Sequence, residues 1–506
     1  MPVSITYLPL LGLALTVLYL LSNRYQKGLW RIPGPWLRSL STIPRMWAIY
    51  RTHSHKYDIE LHRKYGKVVR VAPNILSVSD TTEINQLYGI TTKFVKSGFY
   101  SLSEVFDEKG ELMPDPFILK DKTVHTRMKR NAANAYSLNA LLQMEPYVDE
   151  VTTHLLSILD RYAEAGQVCN MGDVAKNYAM DAITSITFGR NFNYLDKGDT
   201  LRFYKTLDIF TDYMAIFGQI PWIHPYLLKN PRIAQWWVGE DSSQAEMIAL
   251  SSSEIEKGRQ RTAEDGPMTF LERLLLNQKS NPKSITDHEM LTHAWGNLAA
   301  GSDTTGTAIR SLIYYVLKHE RVYKQLCEEV RTKLTLPVPF ADANALPYLT
   351  ACIKESMRMH PSVGLILGRT TPPGGATISG HYVPAGTEVG MNPYVLHYDP
   401  DVFPNPDTFR PERWLPAESS EDHLRQMNRS FFAFGHGAHT CSGRHISMLE
   451  ITKLMPTLLL RYDLELVDGG KDYKFKNRWF TPQEGLLVTL TRRAETAAGS
   501  GRSRSG

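Results

Sequence analysis

The stretch that decides the reading is Phe431-Phe432-Ala433-Phe434-Gly435-His436-Gly437-Ala438-His439-Thr440-Cys441-Ser442-Gly443-Arg444-His445. Its three glycines allow a backbone to wind tightly around one sulfur, because a residue without a Cβ permits close approach and unusual dihedrals. Beyond Gly443, the apolar residues Ile446, Leu449, Ile451 and Leu458 give the chain a helical pattern. Cys441 is thus expected in a glycine-framed loop feeding a helix N-terminus, where N–H groups and the macrodipole favour a thiolate over a thiol. Such a sulfur is a nucleophile, a metal ligand or a small buried hydrophobe, and the loop alone does not choose among them.

The composition narrows the setting. A chain of 506 residues, 42% hydrophobic and 22% charged, has material for one large or two ordinary globular domains. The four cysteines, Cys169, Cys327, Cys352 and Cys441, include no Cys-x-x-Cys pair. That argues against a disulfide framework, a zinc ribbon or a thioredoxin-like site, and for a reducing compartment. A net charge of +5 is too mild for a nucleic-acid-binding protein.

The N-terminus carries the clearest targeting signal. Residues 1–23 contain no charge, and Leu8 to Leu21 is dominated by leucine, a stretch long enough for a transmembrane helix. Arg24, Lys27, Arg31 and Arg38 follow it and nothing basic precedes it. The positive-inside rule then sets the N-terminus in the lumen and the body in the cytosol. A cleaved signal peptide fits less well, since a basic start and a small-x-small cleavage site are both missing. The expected organisation is an anchor at 1–23, a basic, proline-rich linker at 24–45 containing Ile32-Pro33-Gly34-Pro35, a main body at 46–493, and a disordered, low-complexity tail at 494–506.

Within the body, most of the pattern is helical. One helix is expected from Trp47 to Tyr65, and a β-hairpin from Val68–Val71 and Ile75–Val78. Residues 98–120 form a long loop with an apolar lining (Phe99, Tyr100, Phe106, Met113, Phe117), suited to ligand contact. His125 and Lys129, four apart, share a helix face and could hold an anion or simply face solvent. The proline-broken 216–228 segment fits a lid, a membrane-surface contact or a piece of core. A long helix from about Thr286 to His319 carries Ala299-Ala300-Gly301-Ser302-Asp303-Thr304-Thr305 at its middle. Gly301 and the hydroxyls are expected to loosen it there, and an acid beside an alcohol suits proton handling. Glu355-Ser356-Met357-Arg358 lies on a further helix, short strands follow between Leu365 and Val389, and Phe409-Arg410-Pro411-Glu412-Arg413-Trp414 leads back to the cysteine loop.

These four motifs in this order resemble the cytochrome P450 haem-thiolate monooxygenases, from the Pro-Gly-Pro hinge to about Arg493. The anchor with a cytosolic body is similar to the microsomal type. Lys67–Asn74 and Leu396–Pro400 are similar to fungal members of the pisatin demethylase kind. The resemblance implies a mainly α fold with a smaller β-rich region and a haem b cofactor. By it Cys441 is the axial thiolate on iron, which it makes electron-rich, with Phe434 beside the sulfur. Asp303 and Thr304 match the acid–alcohol pair that holds water and relays protons. Glu355, Arg358 and Arg413 match a structural triad behind the cysteine loop. His125, Lys129, Arg369 and His439 fall where the haem propionates are held. His125 stands where tryptophan is common and Lys129 where arginine is common, and a lysine cannot make the two-pronged contact of a guanidinium.

The same resemblance implies O2, a lipophilic small-molecule substrate, and electrons from NADPH through a separate flavin-bearing reductase in the endoplasmic reticulum membrane. Lys120, Lys122, Arg127, Arg130 and Arg444 are candidates for the reductase-docking face, or for plain solubility. The 99–117 loop, the 209–223 region, Gly296–Ala300, Val363–Leu367 and Trp479–Thr481 are expected to line the substrate pocket. An O2-independent isomerase or dehydratase, and a non-catalytic haem- or lipophile-binding protein, are the alternatives; neither has a use for an intact acid–alcohol pair.

Overall fold

The computed structural model describes residues 8–105, 112–228, 230, 232–233, 243–261, 266–467, 469, 471 and 474–494. Phe106 of the expected lining loop, residues 263–265 and residues 495–506 of the expected tail lie outside the described residues. The fold is mainly helical, with small sheets at its margins.

The first helix, α1 (Leu8–Tyr25), ends in Asn23-Arg24-Tyr25 and leaves six leucines exposed, among them Leu10, Leu13 and Leu18, each at 62%. The transmembrane span expected over 1–23 is not met. Among the described residues no helix is long and apolar enough to cross a membrane, and residues 1–7 lie outside them. The single helix expected over Trp47–Tyr65 is two, Ile43–Tyr50 and Ser54–Tyr65. The break falls at Thr52, whose φ of 60° is left-handed and incompatible with continuing the first helix.

The expected hairpin forms from β1 (Val68–Ala72) and β2 (Ile75–Val78), turned by Pro73-Asn74. It extends into a five-stranded sheet with β3 (Val95–Lys96), β4 (Arg369–Thr370) and β5 (Glu388–Gly390), in the order β1-β2-β5-β4-β3. β2 and β5 are parallel, while β3 and β4 are antiparallel with Lys96 directly opposite Arg369. A three-stranded antiparallel sheet with Leu487–Arg492 at its centre, flanked by Cys169–Asn170 and Tyr462–Leu466, closes the far side.

The helical core is built on α2 (Lys122–Ala132), α3 (Met171–Phe188), α4 (Asp287–Lys318), α5 (Pro347–Met359) and α6 (Arg444–Arg461). α4 begins at a capping box: the Glu289 N–H donates to Thr286 Oγ1 at 3.1 Å, and the Thr286 N–H to Glu289 Oε2 at 3.0 Å. It runs unbroken through residues 301–305, so the expected loosening does not occur. The hydroxyls instead add second bonds to carbonyls one turn back, Ser302 to Leu298 at 2.9 Å and Thr304 to Ala300 at 2.7 Å. The small residues serve packing. A Cβ on Gly301 would stand 3.0 Å from Ile183 Cγ1, and one on Gly306 3.0 Å from Lys176 Cα, so α4 lies hard against α3. That contact and the face of α4 turned toward α6 hold the middle of the longest helix opposite the cysteine loop.

Candidate functional site

The cysteine loop is held by its own backbone. The Cys441 N–H donates to the Phe434 carbonyl at 2.9 Å, and the Thr440 N–H to that of Gly437 at 3.1 Å. Gly437 has a φ of +63°, and a Cβ there would lie 2.1 Å from the Tyr88 carbonyl oxygen, so only glycine fits. The loop ends at Gly443, the N-cap of α6.

Cys441 faces a cavity of about 470 Å3, lined across from it by Gly296, Ala300 and Thr304 of α4. Its exposed surface opens onto that internal space. Burial pushes the thiol up, and it prevails over the Gly443 and Arg444 N–H groups and the positive charges of Lys129 and Arg444, all of which pull it down. The N–H groups at the helix end pull toward the thiolate as expected, but desolvation outweighs them. Cys169, Cys327 and Cys352 are buried and unpaired.

His125, Lys129, Arg369, Phe434 and His439 line the same cavity as Cys441 and Thr304. Lys129 donates to the carbonyls of Ala438 at 3.0 Å and Thr440 at 2.7 Å, tying α2 to the cysteine loop. His125 Nε2 and His439 Nδ1 are 3.1 Å apart in a hydrogen bond that one neutral ring makes to the other. Burial, reinforced by Lys96, Lys129 and Arg369, lowers His125 to about 4, and burial and the same cations lower His439 further. Arg369 donates to Tyr100 Oη at 3.3 Å and to the Gly368 carbonyl at 2.8 Å, while its buried Nε has no partner. The Arg444 guanidinium sits over the Phe434 ring, 5.8 Å from its centre.

The acid and the alcohol part company. Thr304 lines the cavity, whereas Asp303, 6% exposed, points toward α3 and pairs with Lys176 Nζ at 2.6 Å. That ammonium also lies 3.9 Å from the Tyr204 ring centre. Behind the cysteine loop, the buried Glu355 accepts from Arg358 Nε and Nη2, both at 2.9 Å, from Arg413 Nε at 3.0 Å, from Trp414 Nε1 at 2.9 Å and from the Arg410 N–H at 3.0 Å. Burial alone would raise its pKa, but Arg358 and then Arg413 hold it below the ordinary carboxylate range. Arg358 Nη1 continues to the His397 carbonyl at 2.8 Å, and His397 Nε2 accepts the Phe432 N–H at 2.8 Å, which links this network to the start of the loop.

Each of the five segments expected to line the pocket contributes residues, among them Phe117, Phe210, Gly296, Val363 and Trp479. Thr481 does not; its hydroxyl is buried against the Pro361 carbonyl. Phe117 and Trp479 meet edge to face at 5.5 Å, and the lining is predominantly apolar. Of the proposed docking cations, Lys120, Arg130 and Arg444 are exposed, but Arg127 is hydrogen-bonded to Glu289 and Lys122 to the Thr92 carbonyl. Two lysines escaped the sequence reading: Lys96 in the cavity wall and Lys176 behind Asp303. Neither belongs to a motif; strand and helix packing bring them in.

The donor set says what the cavity can take. Among the described residues no group of three or more His, Cys, Asp or Glu is arranged to hold a metal ion. A flat apolar macrocycle with acidic edges fits a space with a thiol on one wall, aliphatic helix on the other and cations at the rim.

The family model described as Cytochrome P450 matches residues 33–490. The chain is 34% identical over 493 residues to the cytochrome P450 monooxygenase cicH of Emericella nidulans, covering 95% of this chain and 97% of that one. It is 32% identical to the cytochrome P450 monooxygenase AFLA_114810 of Aspergillus flavus, with 92% and 93% covered. It is 33% identical to the cytochrome P450 monooxygenase mpaDE' of Penicillium brevicompactum, where the match covers 94% of this chain but 57% of that longer protein.

Proposed function

The chain belongs to the cytochrome P450 family, a family of oxidoreductases, and from that premise we propose that it is a membrane-attached haem-thiolate monooxygenase oxidising a lipophilic small molecule in fungal secondary metabolism. The observation that carries the reading is the single thiol, Cys441, facing Thr304 across an apolar cavity rimmed by cations. When bound, haem b supplies an iron centre that activates O2 with electrons from NADPH, delivered by a separate membrane-bound flavoprotein reductase.

The chain's own residues hold, orient and protonate. Cys441 would hold the iron, and the loop N–H groups of Gly443 and Arg444 moderate the charge on its sulfur. His125, Lys129, Arg369 and His439 would hold the propionates, and Phe434 would shield the sulfur from water. Thr304, whose hydroxyl is parked on the Ala300 carbonyl, holds a water and passes a proton into the cavity. Asp303 supplies that relay from behind, held by Lys176. The aromatic lining around Phe117, Phe210 and Trp479 supports a substrate that is itself largely apolar.

Attachment to the endoplasmic reticulum membrane, with the body in the cytosol, is supported by exposed apolar side chains. They include the leucines of α1, Trp36, Leu37, Ile43 and Trp47 near it, and Trp222 and Tyr226, both 69% exposed, in the proline-broken segment. The functional test is turnover of the microsomal protein with reductase, NADPH and 18O2 on terpenoid, polyketide and alkaloid intermediates. One labelled oxygen atom per product molecule is expected; product formed without O2 would refute the monooxygenase reading.

A further inference from the structure

On the cavity side of α4, His293 has a ring nitrogen that nothing satisfies. The residue is 6% exposed and lines the cavity, and its Nε2 is buried without a hydrogen-bond partner among the described residues. The polar side chains around it are engaged elsewhere. Thr292 Oγ1 donates to the His288 carbonyl at 2.8 Å, Tyr136 Oη to Asn297 Oδ1 at 2.8 Å, and Asn297 Nδ2 to Thr187 Oγ1 at 3.3 Å. A buried imidazole left unpaired bears a desolvation cost that an apolar ring of the same shape would not. Burial lowers its pKa to about 4, against the pull of Glu289 one turn back, so the ring is neutral at pH 7 and offers one N–H and one lone pair.

His293 stands eleven residues before Thr304 (304 − 293) on the same unbroken helix. At 3.6 residues per turn that is a rotation within about 20° of three full turns and a rise of about 16 Å, so the two residues share one face. Between them that face carries Gly296 and Ala300, both lining the cavity. A Cβ added to Gly296 would meet nothing within 4 Å, so the helix surface there is open. The Phe203 and Trp295 rings, edge to face at 5.6 Å, add apolar wall to the same cavity. Resting on the haem reading above, we propose that the substrate is an elongated, uncharged lipophile lying along α4, with its reacting carbon beside Thr304 and a hydroxyl or carbonyl oxygen hydrogen-bonded to His293 about three helical turns away. The small residues leave the track clear, and His293 reads the far end. An ammonium or a carboxylate at that end would lack a counter-charge, because Tyr136, Thr292, His293 and Asn297 are all uncharged there.

The test uses the haem-loaded protein and two series of N-alkyl imidazoles of increasing chain length, one ending in a hydroxyl and the other in a methyl group. The imidazole end ligates iron, and affinity is read from the shift of the Soret band. At the length that spans Thr304 to His293, the hydroxyl end is expected to improve binding about tenfold over the methyl end, relative to the same comparison at short lengths, as for one hydrogen bond. His293→Phe is expected to abolish that advantage and, since it replaces an unpaired polar ring by an apolar one, to unfold at the same or a higher urea concentration. Gly296→Leu, which fills the track, is expected to weaken the long probes of both series at least about tenfold while N-methylimidazole binds within about twofold of the unmutated protein. Should His293→Phe not accumulate, the two series on the unmutated protein and on Gly296→Leu decide. A hydroxyl advantage absent at every length, or one that survives in His293→Phe, overturns the proposal, as do long probes that bind Gly296→Leu unimpaired. A failure of the haem reading is seen separately: N-methylimidazole would then shift no Soret band in the unmutated protein.

Discussion

Replacing Glu355 by alanine removes the acceptor of five hydrogen bonds, two from Arg358 and one each from Arg413, Trp414 and the Arg410 backbone. Both guanidiniums are essentially buried, with side-chain exposures of 0% for Arg358 and 2% for Arg413. Each hydrogen bond to a charged group contributes on the order of 1.5–3 kcal/mol, but the intact cluster also bears the cost of burying three ions, so its net worth is far below the sum. Truncation is different, because two cations then stay buried with carbonyls and, for Arg358, the Tyr398 and Phe403 rings but no carboxylate. The expected loss is about 3–5 kcal/mol, the range for breaking a buried pair by deleting one partner. Because Arg358 reaches Phe432 through His397, the loss should also reach the cysteine loop. Urea unfolding followed by tryptophan fluorescence, together with the fraction of protein carrying haem, reads both effects. Glu355→Gln, isosteric but uncharged, should recover little. The pH dependence has a fixed sign: with the folded pKa below the ordinary value of 4.5, the ionised carboxylate stabilises fully above that value and its contribution fades as pH falls through the lowered one. A Glu355→Ala protein within about 1 kcal/mol of the unmutated one, loading haem normally, would refute the reasoning.

Three further outcomes are expected. Thr304→Ala loses only a hydroxyl bonded to its own helix, so stability should change by no more than about 0.5 kcal/mol, while product formed per NADPH falls at least about tenfold and hydrogen peroxide rises; coupling is measured by parallel NADPH, product and peroxide assays. Lys176→Met strands the Asp303 carboxylate without its cation and should cost about 3 kcal/mol in urea unfolding, whereas the double variant with Asp303→Asn should recover much of it. Gly437→Ala forces a Cβ to within 2.1 Å of the Tyr88 carbonyl at a φ of +63°. It should cost at least about 2 kcal/mol and lower the haem-loaded fraction, read by denaturation and by pigment content.

Sequence sufficed where local chemistry determines geometry. The start of the long helix at Thr286, the Pro73-Asn74 hairpin and the glycine-framed loop at Cys441 all lie where spacing and residue type put them. It failed where packing overrides local tendency. Gly301, Ser302 and Thr304 suggested a weakened helix, yet α4 is continuous because α3 presses against its small residues. Asp303 and Thr304 are adjacent in the chain but one turns to Lys176 and the other to the cavity, a division set by which face of α4 meets α3. The thiol of Cys441 could not be judged from its helix end alone, since desolvation is a property of the assembled cavity. Lys96 was invisible for a related reason: the residue it faces, Arg369, is 273 positions away in sequence (369 − 96) and directly opposite across a strand pair.

The most direct measurement is the absorption spectrum of the dithionite-reduced protein under carbon monoxide, for the unmutated chain and for Cys441→Ala. Thiolate ligation by Cys441 predicts a Soret band strongly shifted to the red in the first and lost in the second. An unshifted band in the unmutated protein, or a red-shifted band that survives in Cys441→Ala, would contradict the assignment of Cys441 to the haem iron.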